Sequence, residues 1–194
     1  MILHRWGVVP YEKAREQMRN VHMQAQEDGQ NHLILTQHPS CFTVGRDHWS
    51  EKWNIPVIQT DRGGSVTCHS EGQNIYYFCF QAQYPVKFFQ KVKNAFSHFF
   101  DTLGKPIYYD KEHPGFYIAK RKLCSLGFRY KNGVSCHGVA LNVNVDLNFH
   151  NQINPCALEN IKATSLIEEG IHICAEDVNN IIITEISRAF HDRV

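Results

Sequence analysis

Two prolines organise this chain. Pro10 and Pro85 each open a long stretch of helical periodicity, and most of what surrounds them reads as strand. Proline suits the first turn of a helix, because the N–H it lacks is one the helix leaves unbonded there. After Pro10, Tyr11, Ala14, Met18, Val21 and Ala25 recur at spacings of three and four, and Gly29 closes the run. After Pro85, Val86, Phe89, Val92, Phe96, Phe99 and Leu103 line one side, and Gly104 ends it. Val178, Ile182, Ile186 and Phe190 mark a last helix.

The strand signals fall between these helices. Residues 32–36, 41–45, 57–60 and 74–80 form one set, and 107–109, 115–118, 123–130 and 134–145 a second. Lys131-Asn132-Gly133 predicts a hairpin, because Asn-Gly tolerates the positive φ of a tight turn. Helix, strands, helix, strands, helix predicts an α+β fold: a mixed, largely antiparallel sheet packed with helices. A length of 194 residues suits one domain, 1–194, with no repeat or linker.

Composition narrows the functional classes. A net charge of +1 gives no bulk electrostatic case for nucleic acid or membrane binding. No apolar run reaches the length of a membrane span, and the N-terminus lacks the long apolar core of a signal peptide. The expected location is the cytosol. Seven cysteines cannot all pair, none forms a Cys-x-x-Cys, and in a reducing cytosol most would be small buried hydrophobes. Twelve histidines invite a metal protein, but none lies at ligand-like spacing from another ligand, so no metal is expected.

Four segments carry candidate chemistry. In Arg62-Gly63-Gly64-Ser65-Val66-Thr67-Cys68-His69, the glycines let a backbone approach a ligand and present N–H groups, and the arginine could hold an anionic or carbonyl group. The plain alternative is a tight turn. In Lys120-Arg121-Lys122-Leu123-Cys124-Ser125-Leu126-Gly127, a lysine of ordinary pKa about 10.4 acts as a base only when desolvated or beside another cation. Lys122 borders the apolar run and is the better candidate, while Arg121 stays charged. The plain alternative is a solvated loop. In Cys136-His137-Gly138-Val139-Ala140-Leu141-Asn142, small residues at Gly138 and Ala140 leave room for a ligand on one strand face. The alternative is a half-buried strand with asparagines in water. In Asn154-Pro155-Cys156, proline makes a rigid corner that holds a thiol in place, as a nucleophile needs. The alternative is a structural cysteine.

These segments, in this order, resemble the lipoyl(octanoyl) transferase family of the lipoate-protein ligase B type. His38-Pro39, Thr43-Val44-Gly45-Arg46 and Pro114-Gly115-Phe116-Tyr117 also fit, and the resemblance spans roughly residues 32 to 166. It implies a fold like that of biotin protein ligases and no cofactor. It implies octanoyl transfer from acyl carrier protein to a lysine on lipoyl domains of 2-oxoacid dehydrogenases or on the glycine-cleavage H protein. Cys156 falls at the acyl-thioester position and Lys122 at the lysine that lowers its pKa. Arg62 to His69, Ser125 to Gly127 and Gly138 to Ala140 fall where the family binds the acyl substrate.

Two departures stand out. The family's His-Gly-Pro-Gly-Gln is His69-Ser70-Glu71-Gly72-Gln73 here, a loss of a glycine and gain of a carboxylate that leaves the loop's shape and the preferred chain length open. The glycine that usually follows the cysteine is Ala157. An ATP-dependent lipoate or biotin ligase on the same scaffold, and a non-catalytic module that binds acyl or lipoyl proteins, are the alternative readings.

Overall fold

The computed structural model describes residues 1–48, 56–153 and 161–191. Strand β1 spans Ile2–Val8, helix α1 Tyr11–Asp28, β2 His32–Gln37 and β3 Cys41–Val44. Then come β4 (Ile58–Gln59), β5 (Val66–His69), β6 (Gln73–Cys79) and helix α2 (Pro85–Asp101). The second half holds β7 (Ile107–Asp110), β8 (Gly115–Ile118), β9 (Arg121–Lys131) and β10 (Val134–Asn142). Helix α3 (Leu147–His150), β11 (Lys162–Ala163) and helix α4 (Ala175–Phe190) complete the order.

An eight-stranded sheet runs β1-β2-β6-β10-β9-β8-β7, with β11 against β9. Most pairings are antiparallel; β1 with β2 and β11 with β9 are parallel. A small sheet, β4-β3-β5, carries the segments on either side of the Arg-Gly-Gly loop. The expected mixed, largely antiparallel sheet with packed helices is what the chain forms.

Strand alternation sends side chains to opposite faces, and the two faces of the large sheet bury different helices. Tyr76, Phe78, Val139 and Leu141 pack with α2 and α4. Ile34, Ile75, Tyr77 and Ala140 lie on the other face, with Ala14, Met18 and Ala25 of α1. The first of these cores is aromatic: Phe78, Phe80 and Phe88 form edge-on pairs, and Phe100 lies against Phe116 with centroids 4.6 Å apart.

The turn chemistry is as the residues require. Gly29 ends α1 at φ 68°, and Asn132 and Gly133 take φ 52° and 76° in the β9–β10 hairpin. Three strands were not read from the sequence: β1 is a sheet edge with mixed exposure, β5 is hidden by its glycine-rich lead-in, and β11 is only two residues long.

The predicted face of α2 needs correction. Phe88, Val92, Ala95, Phe96, Phe99 and Phe100 are buried, whereas Val86 is 84% exposed. Val86 sits in the first turn, on a flank that no neighbouring element covers. Phe96→Ala should therefore cost about 3–5 kcal/mol of unfolding free energy, while Val86→Ser should stay within about 0.5 kcal/mol. Urea unfolding followed by circular dichroism measures both.

Candidate active site

The site is built on a floor of small side chains. Gly127 of β9 pairs with Gly138 of β10, Ser125 pairs with Ala140, and Tyr77 and Ile75 of β6 continue these rows. A Cβ on Gly138 would lie 1.8 Å from the Tyr76 carbonyl oxygen, so no larger residue fits that backbone. Above the floor runs the Arg62-Gly63-Gly64 loop. Gly63 donates its N–H to the Phe128 carbonyl at 3.2 Å, and a Cβ on Gly127 would stand 3.0 Å from Gly63 O. Gly64 has φ 84°, and a Cβ on Gly45 would meet its carbonyl at 1.8 Å. The loop can therefore press down on the sheet only because glycines face each other. Between roof and floor lies a largely apolar cavity of about 330 Å³.

Lys122 reaches this cavity through an irregularity in β9. Ser125 faces the cavity, so strict alternation would turn Lys122 to the other side, towards the aromatic core. Phe116 pairs with Cys124 and Tyr117 with Lys122, which leaves Leu123 as an extra residue. Leu123 and Cys124 both enter the core under α2. The bulge resets the alternation and delivers Lys122 to the cavity face, an effect bulges have beside active sites. The Lys122 side chain is 4% exposed and its Nζ lies 5.2 Å from the centre of the Tyr117 ring. Its stem runs over Gly115, where a Cβ would come within 2.8 Å of Lys122 Cε.

A directional chain of hydrogen bonds fixes the roof. Arg62 Nη2 donates to Thr43 Oγ1 at 2.9 Å and to the Thr43 carbonyl at 3.1 Å, and Nη1 donates to Gly63 O at 2.9 Å. Thr43 Oγ1 lies 3.2 Å from His69 Nε2, and His69 Nδ1 lies 2.7 Å from Gln73 Oε1. The Gln73 oxygen can only accept, so Nδ1 carries the proton and Nε2 accepts from Thr43. Gln73 Nε2 donates to Asn142 Oδ1 at 2.8 Å, and Asn142 Nδ2 donates to the Thr164 carbonyl at 2.8 Å. Arg62 thus anchors the loop instead of standing ready for an anion. Asn142, 6% exposed, belongs to this buried chain and not to solvent.

A second clasp holds the loop's other side. Asp61 accepts from Arg129 and lies 2.6 Å from His137 Nε2. His137 takes φ 62°, costly for a side chain with a Cβ, and the clasp helps hold it there.

Three buried histidines around the site are neutral. Burial, reinforced by the nearby Arg62 and Arg129, pushes His137 down to about 3. Burial pushes His150 down to about 4, and burial beside His38 takes His69 well below its ordinary value. The unfolded chain takes up protons at these positions below about pH 6.5, while the folded one resists. Stability is therefore complete above that pH and falls as the pH drops towards 4, by about 1.4 kcal/mol per histidine per pH unit. The urea midpoint should fall between pH 7 and pH 5, and His150→Gln should flatten the slope.

The structure gathers most of the sequence candidates on one cavity. Lys122, Arg62, Gly63, Gly64, Ser65, Thr67 and His69 line it, as do Ser125, Leu126, Gly127, Gly138, Val139 and Ala140. Val66 and Cys68 do not: alternation along β5 turns them to a separate cluster with Phe42 and Ile153. Cys156 and Ala157 lie outside the described residues. Sequence reasoning did not select Tyr11, Ile75, Tyr77, Phe89, Pro114, Phe128, Tyr130 or His137, which also line the cavity. Ile75 and Tyr77 share a strand face and were open to that inference; Tyr11 needed the packing of α1.

The departing loop keeps a tight turn, with Gln73 N–H donating to Ser70 O at 3.2 Å. Gly72 has φ 84°, and a Cβ there would meet Asn144 O at 2.1 Å. Ser70 Oγ bonds to His150 Nε2 at 2.9 Å, and Glu71 is exposed. Neither Ser70 nor Glu71 lines the cavity.

Among the described residues, no cluster of three or more histidine, cysteine or acidic side chains is arranged to hold a metal, and no helix is long and apolar enough to cross a membrane. Burial raises the thiols of Cys68, Cys79 and Cys124 and pushes those of Cys41 and Cys136 up to about 11.

The chain belongs to the family of the lipoyl protein ligase A/B catalytic domain, whose model matches residues 10–187. It is similar to the octanoyltransferase of Actinobacillus pleuropneumoniae, with 37% identity over 180 residues, 86% of this chain and 82% of that protein. Its fold is similar to that of lipoate-protein ligase A solved with ATP, at a TM-score of 0.73 and 13% identity, covering 98% of this chain and 85% of that one. It also resembles the biotin protein ligase of Aquifex aeolicus, at a TM-score of 0.52 and 13% identity, covering 98% and 69%.

Proposed function

We propose that this protein is an octanoyltransferase of lipoate biosynthesis. It takes an octanoyl group from a carrier thioester and gives it to a lysine of a lipoyl domain. The observation that carries this reading is the apolar cavity with the Lys122 ammonium buried on its wall. An alkyl chain suits the cavity, and a cation beside it suits a thiolate and a developing oxyanion. The octanoyltransferase relatives support the same substrate class.

The donor is octanoyl-acyl carrier protein. The acceptors are lipoyl domains of 2-oxoacid dehydrogenases and the glycine-cleavage H protein. The whole chain, 1–194, acts as one catalytic domain in the cytoplasm.

The reaction runs in two halves. Cys156 attacks the octanoyl carbonyl, the carrier thiol leaves, and the acyl group rests on Cys156. A free thiol of pKa about 8.5 is mostly protonated at neutral pH, and the positive charge of Lys122 favours its thiolate. Lys122 gives its proton to the departing carrier thiolate. The acceptor lysine, as free amine, then attacks the thioester, Cys156 leaves as thiolate, and the now neutral Lys122 takes the proton released by the amine. Thioester exchange is nearly balanced and conversion of thioester to amide is downhill, so the reaction needs no ATP.

Intact-mass measurement after mixing with octanoyl-carrier protein tests the covalent step. One octanoyl adduct should appear on the wild type and none on Cys156→Ala, which should also lose transfer to the lipoyl domain. Full transfer by Cys156→Ala would end the covalent reading. Lys122→Ala should slow transfer by about 10²–10⁴-fold. A Cβ at position 115 would also stand 2.5 Å from the Cys124 carbonyl, so Gly115→Ala should shift β8 and the Lys122 stem together, lowering the urea midpoint as well as kcat, the latter by about 10²-fold.

A further inference from the structure

The cavity is not equally open along its length. Pro114 and Gly64 are exposed, whereas Tyr11, His69, Ile75 and Tyr77 are each no more than 5% exposed. The open side lies with Lys122 on β8 and β9, and the closed side lies over β6 and under α1. In the sheet order, β6 is two strands from β9. At about 4.8 Å per strand that is about 10 Å. An extended eight-carbon chain spans about 9 Å, from seven bonds of about 1.5 Å in zigzag.

What closes the far side is braced rather than merely packed. His38 Nδ1 lies 2.7 Å from the Val9 carbonyl, so it carries the proton, and Nε2 accepts from the Tyr77 hydroxyl at 2.8 Å. The Tyr11 ring stacks on His69 with centroids 5.4 Å apart and 24° between planes. His69 is itself locked between Thr43 and Gln73. Swinging either tyrosine aside would break buried hydrogen bonds or a ring stack, so the wall does not yield to a longer chain.

We propose that Tyr11 and Tyr77 form the end wall that sets acyl length, admitting a chain of about eight carbons and stopping longer ones. The proposal rests on the acyl-transfer reading above and adds to it the residues that select the substrate. It also assigns a direction: the chain enters beside Lys122 and runs across β9 and β10 to β6. A competing course would run along β9 towards Phe128, Tyr130 and Phe89, whose rings border the same cavity.

The test compares kcat/KM for hexanoyl-, octanoyl-, decanoyl- and dodecanoyl-carrier protein with a lipoyl domain as acceptor. The wild type should favour octanoyl. Tyr11→Ala should raise the decanoyl-to-octanoyl ratio at least ten-fold, and Tyr11→Leu, which keeps an apolar side chain under α1, should raise it in the same direction. Tyr77→Phe keeps the ring but removes the hydroxyl that His38 holds, and should raise the same ratio by a smaller factor than Tyr11→Leu. Circular dichroism establishes which variants fold, and Tyr11→Leu carries the test if Tyr11→Ala does not. An unchanged ratio in folded Tyr11→Leu, or a shift produced instead by Tyr130→Ala, would overturn the end wall while leaving acyl transfer intact. No transfer by the wild type from any of the four thioesters would overturn the transfer reading, and the wall with it.

Discussion

The hydrogen-bond chain from Arg62 through Thr43, His69 and Gln73 to Asn142 joins the two sheets. Each member is buried, so each donor or acceptor left without a partner would cost about 1–3 kcal/mol. Because the acceptors at Gln73 and Asn142 fix the direction, the chain has one arrangement in which each of these links is satisfied. It ties the loop above the cavity to the strands below it. The height of the cavity is set by this chain and by the glycines that let the backbones meet.

Within that frame, the buried Lys122 on the cavity wall beside β8 is placed by a single extra residue. Lys122 would face an aromatic core without the bulge at Leu123, and a charge there would lose its hydration without compensation. On the cavity side it meets the face of Tyr117 and the bare backbone of Gly115. The core behind the floor gives the site a rigid backing. Phe78, Phe88 and Phe128 interlock edge to face, so a shift of β9 would disturb several ring contacts at once.

Helices α1, α2 and α4 were legible because each announces itself with local signals, whereas the four-residue α3 does not. Pro10, Gly29 and Pro85 act through their own backbone preferences, and α1 and α2 begin beside the two prolines. The hairpin at Asn132-Gly133 was legible for the same reason. Val86 was misplaced because a helical period gives a face and not its width. β5 was missed because the glycines before it look like an extended loop, although Val66 and Cys68 alternate with Thr67 and His69 as a strand must. The altered loop at Ser70-Glu71 pointed to a changed cavity, yet Ser70 turns to His150 and Glu71 to solvent.

The amino-acid sequence alone determined the three long helices and the main strands between them, the glycine and small-residue positions, and the lysine that could serve as a buried cation. These follow from properties a residue carries with it: its φ range, its size, its charge. Only the tertiary structure decided which way Lys122 faces, that Arg62 anchors a loop, and that Tyr11 of the first helix meets Tyr77 of a central strand. Those outcomes depend on register and on contacts between segments distant in the chain. A one-residue change of register turns a strand's side chains to the other face, and nothing local in the sequence records it.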